Sequence, residues 1–239
     1  MKGLIIAIQF LTRLPAPRIA VSDAEFAASM HWFPAVGLII GGLVAGGGWA
    51  GTQLDLWIGA LAALLLWVGV TGALHLDGLG DVADAAGAAH KDRERLLAVL
   101  ADPHIGSFGT VAIGLQLVAK LVLLHAAIEA NILAAIALTP FAARIGPLLW
   151  TRWLPSLHQG LASRFRDAVH PLAVALWLAA WLAACWFVPG LLAAPVAMFL
   201  FGWWLRGKLG GISGDGHGAG IEITESLLLL AALIAARLA

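Results

Sequence analysis

The chain has 239 residues, 61% of them hydrophobic and 12% charged, with 14 acidic and 14 basic side chains and a formal net charge of zero. Soluble domains carry about 25% charged residues, so a water-soluble globule is excluded for want of polar surface. Zero net charge gives no basic field for nucleic acid, and the single cysteine, Cys185, excludes an internal disulfide and reads as a small core or lipid-facing residue.

In chain order, Met1 to Phe10 is a short apolar stretch followed by Thr12-Arg13-Leu14-Pro15. It is too short to span a bilayer and lacks a small-x-small cleavage site, so it predicts an interfacial helix, with an uncleaved signal as the second reading. A spanning helix needs about 20 mostly apolar residues, and the candidates are 33–50, 55–74, 109–128, 131–150, 172–188, 190–205 and 222–238. The first is rich in glycine, which permits close helix contact and offers a surface for association between copies of the chain. Pro189-Gly190 reads as the turn of a helical hairpin, and the last run, ending near Arg237, reads as partly interfacial. Trp32, Trp150, Trp153, Trp203 and Trp204 near the ends of apolar runs read as interface anchors. The expected fold is an all-α, polytopic integral membrane helical bundle of about six to seven transmembrane helices plus an N-terminal interfacial helix. No repeat or linker divides the chain, so 1–239 is expected to be one domain.

With these spans, Lys2, Arg13, Arg18, Lys91, Arg93, Arg95, Arg152, Arg164, Arg166, Arg206 and Lys208 fall on one side. The positive-inside rule makes that side cytoplasmic. The three longest polar connections, 75–108, 151–171 and 206–221, share it, so the chemistry is expected there.

The first connection carries His75-Leu-Asp77-Gly-Leu-Gly-Asp81-Val-Ala-Asp84. Asp77, Asp81 and Asp84 stand at i, i+4 and i+7 and fall on one face of a helix. Like charges at that spacing repel, and a divalent cation relieves the conflict. Carboxylate oxygens with small neighbours suit Mg²⁺. A solvated acidic turn and a proton or cation path are the competing readings. His75 is placed to orient a carboxylate or touch phosphate. Asp102, in Asp102-Pro103-His104-Ile105-Gly106, either completes a metal site or caps a turn. The third connection, from Arg206 and Lys208 through Gly210, Gly211, Ser213, Gly214 and Asp215 to Glu225, is read as a glycine-rich loop. Such a loop brings backbone N–H groups close to a phosphate, with Asp215 as a second-metal or substrate-orienting acid and Glu222 and Glu225 in the first turn of the helix that follows. The bland reading is a flexible linker. Lys120 and Arg144, the two basic residues deep within spans, either snorkel or pair with a carboxylate.

Four segments in this order resemble the cobalamin (5′-phosphate) synthase, or adenosylcobinamide-GDP ribazoletransferase, family across almost the whole chain. They are Phe10-Leu-Thr-Arg-Leu-Pro-Ala-Pro17, Phe33-Pro-Ala-Val-Gly37, His75 to Ala85, and Gly210-Gly211 to Glu225. Departures are His104 where the family often has arginine, Ser213 for threonine and His217 for leucine. The resemblance implies a Mg²⁺-dependent transferase in the bacterial inner membrane, multi-pass, with its active site on the cytoplasmic face. It implies that adenosylcobinamide-GDP reacts with α-ribazole or its 5′-phosphate to give adenosylcobalamin (5′-phosphate) and GMP. Carried onto this chain, Asp77, Asp81 and Asp84 are the expected metal ligands. His75 and Asp215 join them as catalytic candidates. Gly210, Gly211, Ser213, Gly214, Lys208, Arg13, Asp102 and His104 are the expected substrate and phosphate contacts. Two rival readings remain: a phospholipid-type alcohol phosphotransferase, whose usual Asp-Gly-x-x-Ala-Arg pattern is absent, and a corrinoid or ion transporter, which predicts mid-bilayer acids in an internal repeat.

Overall fold

The computed structural model describes residues 2–88, 93–100, 102, 104–157 and 168–238. Lys91, Arg164 and Arg166, which contributed to the charge asymmetry, lie outside the described residues. Twelve α-helices are found among the described residues: α1 Lys2–Leu11, α2 Asp23–Ala28, α3 Phe33–Thr52, α4 Leu56–Thr71, α5 Leu74–Ala88, α6 Arg93–Leu100, α7 Ser107–Glu129, α8 Leu133–Ala143, α9 Gly146–Trp153, α10 Pro171–Phe187, α11 Ala194–Leu209 and α12 Gly214–Leu238. Short 3₁₀ turns at Ser29–Trp32 and Pro189–Ala193 lead into α3 and α11.

Five stretches are long and apolar enough to cross a bilayer: Asp23–Thr52, Ser107–Glu129, Leu133–Trp153, Pro189–Leu209 and Gly214–Leu238. The chain is therefore a multi-pass helical membrane protein. Two of the seven expected spans differ in kind. The apolar helix α10 has 17 residues. The 55–74 span is α4, after which the chain bends by 83° into α5. Gly72 (φ 60°) ends α4 in the left-handed region, and Ala73 (φ 59°) continues there at a steric cost of about 1–2 kcal/mol. The bend turns α5 out of the line of the span, and α5 carries the aspartates.

The last helix corrects the sequence reading. It starts at Gly214 and runs 25 residues, so most of the supposed loop is helix and Asp215 stands in its first turn. Ser213 explains the start: its Oγ accepts from Gly216 N–H at 3.0 Å, as an N-cap does. Gly210 (φ 86°) terminates α11. Ile212 is stitched to the chain after α9, its N–H donating to Pro155 O at 2.8 Å and its carbonyl accepting from Leu157 N–H at 3.0 Å. A flexible linker is thereby excluded. A second correction concerns Trp150, which is fully buried rather than an interface anchor and donates from Nε1 to Met198 O at 2.9 Å. Trp32, Trp153, Trp203 and Trp204 are exposed as expected.

Backbone approach explains how the helices fit. A Cβ at Gly41 would overlap the Ala137 carbonyl, so α3 lies directly on α8. Gly78 of α5 meets α12 in the same way, where a Cβ would come within 2.8 Å of the Asp215 carbonyl oxygen. Beneath this crossing lies a buried ion network. Lys120 of α7 reaches Glu222 at 2.7 Å and Glu225 at 2.6 Å, and Arg144, following α8, reaches Glu225 at 2.8 Å. Gln116 donates to Glu222 Oε2 at 2.9 Å, and the Lys120 ammonium sits 4.3 Å from the centroid of the Trp67 ring. Glu222 and Glu225 thus stand in the third and fourth turns of α12 as buried counter-charges, not in a first turn facing its dipole. The pairing alternative for Lys120 and Arg144 holds.

Candidate active site at the polar end of the bundle

Described parts of the three polar connections come together: Gly78 packs on the Asp215 backbone, and Pro155 and Leu157 pair with Ile212. Asp77, Asp81 and Asp84 share a face of α5, as the spacing requires. The crossing at Gly78 sets Asp215 of α12 against that face. Asp81 is half-buried there. Burial, and then the charges of Asp215, Asp77 and Asp84, push its carboxyl up to about 6. Four acids from two helices thus share one small region beyond the bend of α4.

Asp84 has a further task. Its Oδ2 accepts from Gly106 N–H at 2.7 Å and its Oδ1 from Gly109 N–H at 3.0 Å. A carboxylate therefore already holds the N-terminus of α7, where an anion is favoured, and it clamps α5 to α7. Asp102 and His104 line a cleft of about 320 Å³ beside Asp84. Both are exposed, and Asp102 accepts from His104 N–H at 2.9 Å with the imidazole Nδ1 at 2.7 Å. Those hydrogen bonds, the backbone one first, hold the Asp102 carboxyl below the usual carboxylate range.

A second cavity, of about 150 Å³, opens between α1, α3, α5, α9 and α12, with His75, Asp77, Gly214, Asp215 and His217 in its wall. His75 is 2% exposed and directs Nδ1 toward Arg144 Nη2 at 3.4 Å. His217 holds Nε2 3.3 Å from Thr151 Oγ1. The ring nitrogens His75 Nε2 and His217 Nδ1 are buried without a hydrogen-bond partner among the described residues. Arg13 lies against the Gly72 bend, its N–H donating to Val70 O at 2.7 Å. Gly210 and Gly211 are committed to the α11 terminus and the contact with Pro155. Of the supposed glycine cradle, Gly214, with open space where a Cβ would stand, and Gly218, packed on the His75 backbone, line the cavity. Lys208 is exposed on the last turn of α11.

A family model for cobalamin-5-phosphate synthase matches residues 3–233. The chain belongs to the cobalamin-5-phosphate synthase family. Its relatives in that family include an adenosylcobinamide-GDP ribazoletransferase of Novosphingobium aromaticivorans, 65% identical over 98% of this chain and 97% of the relative. Proteins of the same description from Thiobacillus denitrificans (46% identical, covering 100% of this chain and 98% of the relative) and Pseudomonas aeruginosa (strain PAO1; 35%, covering 97% of each) are also similar. No solved structure matches.

Sequence reasoning missed Glu222, Glu225, His217 and Gln116 as members of the site or its support. A helical register begun at Gly214 would have found the two glutamates. From there Asp215, Gly218, Glu222 and Glu225 recur at spacings of three, four and three and mark one face of α12. That register marks neither His217 nor Gln116, which is on α7.

Proposed function

We propose that this cobalamin-5-phosphate synthase relative transfers α-ribazole, or its 5′-phosphate, onto adenosylcobinamide-GDP at the cytoplasmic face of a bacterial inner membrane, releasing GMP. The observation that carries the reading is the convergence of Asp77, Asp81, Asp84 and Asp215 at the α5–α12 crossing, beside two cavities, in a chain of this family.

Among the described residues no three His, Cys, Asp or Glu side chains form a closed metal cage. The donors nevertheless fit Mg²⁺, which keeps several waters and needs one or two carboxylates plus substrate phosphate. The repulsion focused on Asp81 is what such an ion would offset. Asp77, Asp81 and Asp215 have the stronger claim as ligands. Asp84 spends one lone pair of each oxygen on α7 and supports the site from its edge. When bound, Mg²⁺ supplies charge neutralisation to the pyrophosphate.

A ribose hydroxyl oxygen of ribazole forms the new bond to the phosphorus attached to cobinamide. The bridging P–O bond breaks, and GMP leaves with its electron pair. The chain's part is to position and to screen. Asp77 and Asp215 line the inner cavity, where they orient that hydroxyl and take its proton. His75 is poorly suited to be the base. A guanidinium only donates, so its Nδ1 accepts from Arg144 and the proton resides on Nε2. Lys208 and the His104 cleft flank the same polar end and favour the phosphates of adenosylcobinamide-GDP. The test is GMP release from adenosylcobinamide-GDP, α-ribazole and Mg²⁺ by protein in proteoliposomes. Release that stops with EDTA and returns with Mg²⁺ supports the reading. Corrinoid uptake without GMP release overturns it in favour of a transporter.

A further inference from the structure

A groove of about 550 Å³ runs between the 3₁₀ turn before α3 and the first turns of α10, and it shares no lining residue with the acid cluster. Trp32, Leu172, Leu176 and Trp177 line it, with His31 and His170 where α10 begins. Its framework is hydrogen-bonded. His31 Nε2 accepts from the His170 N–H at 2.8 Å, and the His31 carbonyl accepts from Trp177 Nε1 at 2.6 Å. Two hydrogen bonds onto one residue thus hold α10 beside the start of α3. Leu172 and Leu176 are left 69% and 62% exposed on an apolar helix of a multi-pass chain, so lipid faces them. With 17 residues, α10 is about 25 Å long, shorter than a hydrocarbon core of about 30 Å. A short span thins the bilayer and draws headgroups toward its ends, and one of those ends is at His170.

That end is cationic. Arg152 Nη1 donates to Val169 O at 3.1 Å, so Arg152 and His31 hold opposite sides of the single peptide group that joins Val169 to His170. Arg152 is exposed, and among the described residues no carboxylate forms an ion pair with it. The exposed His170 imidazole adds a second donor. We infer that this groove binds one anionic glycerophospholipid of the bilayer, with its phosphate on Arg152 and His170 and an acyl chain along Trp32, Leu172, Leu176 and Trp177. Apolar contact alone would hold any lipid; the two polar side chains select the headgroup. A soluble anion would pair with Arg152 and leave the apolar wall bare. A second copy of the chain, meeting this face by two-fold symmetry, would bring Arg152 toward its own image.

The test is native mass spectrometry of the full-length protein, titrated in detergent with phosphatidylglycerol or phosphatidylcholine of identical acyl chains. One phosphatidylglycerol is expected to bind at least about fivefold more tightly than phosphatidylcholine, the effect of one basic side chain at an anionic surface. Arg152→Gln/His170→Gln should abolish that preference. Arg18→Gln, which removes the same charge from another exposed position, should keep it. Should the double variant fail to fold, His170→Gln alone is expected to lower the preference at least about twofold. Equal affinity of the wild type for the two lipids overturns the inference, as does a preference that survives in the variants at Arg152 and His170. Displacement of the whole lipid by inorganic phosphate would make this a phosphate site without an acyl chain. A dimer dispersed by Leu176→Asp would give the groove to a second copy. Either result also overturns the proposal.

Discussion

Removing Lys120 is expected to destabilise the protein more than removing Lys120 and Glu222 together. In the native network Glu225 contacts both Lys120 and Arg144, whereas among the described residues the one cation in contact with Glu222 is Lys120. Lys120→Met therefore leaves Glu225 paired with Arg144 and strands Glu222, 2% exposed, with the neutral Gln116 amide as its remaining side-chain partner among the described residues. An uncompensated buried charge of this kind costs about 3–5 kcal/mol, which is roughly 10²–10⁴-fold in the folding equilibrium. Lys120→Met/Glu222→Met instead removes a neutral pair and leaves Arg144–Glu225 intact. Replacing a buried pair with apolar side chains is often neutral or favourable, so the double variant should fall within about 2 kcal/mol of the parent. The assay is reversible unfolding in mixed micelles followed by tryptophan fluorescence, with both single variants and the double variant forming a cycle. A Lys120→Met cost below about 1 kcal/mol, the range of an exposed pair, would refute the reasoning. So would a double variant as unstable as the worse single.

The remaining predictions separate the acids by role. Asp81→Asn should lower Mg²⁺-dependent GMP release by roughly 10²–10³-fold with helicity by circular dichroism unchanged; full activity would remove Asp81 from the metal site. Because the Asp81 carboxyl is raised to about 6, the folded protein binds more protons than the unfolded chain between the usual carboxylate value and about 6. Without divalent cations the Asp81 contribution to Tm should then fall as pH rises through that window. The Tm gained on adding Mg²⁺ should be greater near pH 7 than near pH 5, with the difference lost in Asp81→Asn. Asp84→Asn should mainly weaken the α5–α7 clamp, by about 1 kcal/mol. It should perturb Mg²⁺ affinity, measured by titration, less than Asp81→Asn does; the reverse order would make Asp84 the principal ligand. Gly78→Ala should cost about 1–3 kcal/mol through overpacking against the Asp215 backbone and lower activity more than Gly42→Ala, since Gly42 has open space around it. Equal losses of activity for the two variants would count against the importance of the α5–α12 crossing.

Composition and apolar run length made the fold legible, because a bilayer constrains both. The i, i+4, i+7 spacing of Asp77, Asp81 and Asp84 likewise predicted their shared helical face. The stretch from Gly210 to Gly220 did not yield to the same approach. Glycine is a poor helix former in water, so six glycines in eleven positions read as a loop. In a membrane bundle the alternative for the backbone is an unsatisfied N–H or C=O, and glycine instead permits helices to touch. Gly218 on His75 and Gly220 on Trp150 show that use. Misreading the helix start moved Glu222 and Glu225 from the protein interior to a helix end. Their cations, Lys120 and Arg144, lie 105 and 81 residues from Glu225 in the chain, too far for any local pattern to join them.

The bend after α4 links the fold to the site. A straight continuation of α4 would direct Asp77, Asp81 and Asp84 along the line of the span, where each ionised carboxylate is costly. Turning by 83° at Gly72 and Ala73 instead lays α5 against the first turns of α7 and α12. Their N-terminal N–H groups and dipoles favour negative charge there. Asp84 takes that benefit from α7 directly. Below the bend the neutral Lys120–Glu222–Glu225–Arg144 network links α7, α8 and α12, and Arg144 reaches His75 in the first turn of α5. The position of the acid cluster is therefore fixed from both ends, by the Asp84 clamp on the polar side and by the ion network through His75 on the buried side. That double constraint is what holds four mutually repelling carboxylates in place, as the proposed cation and diphosphate site requires.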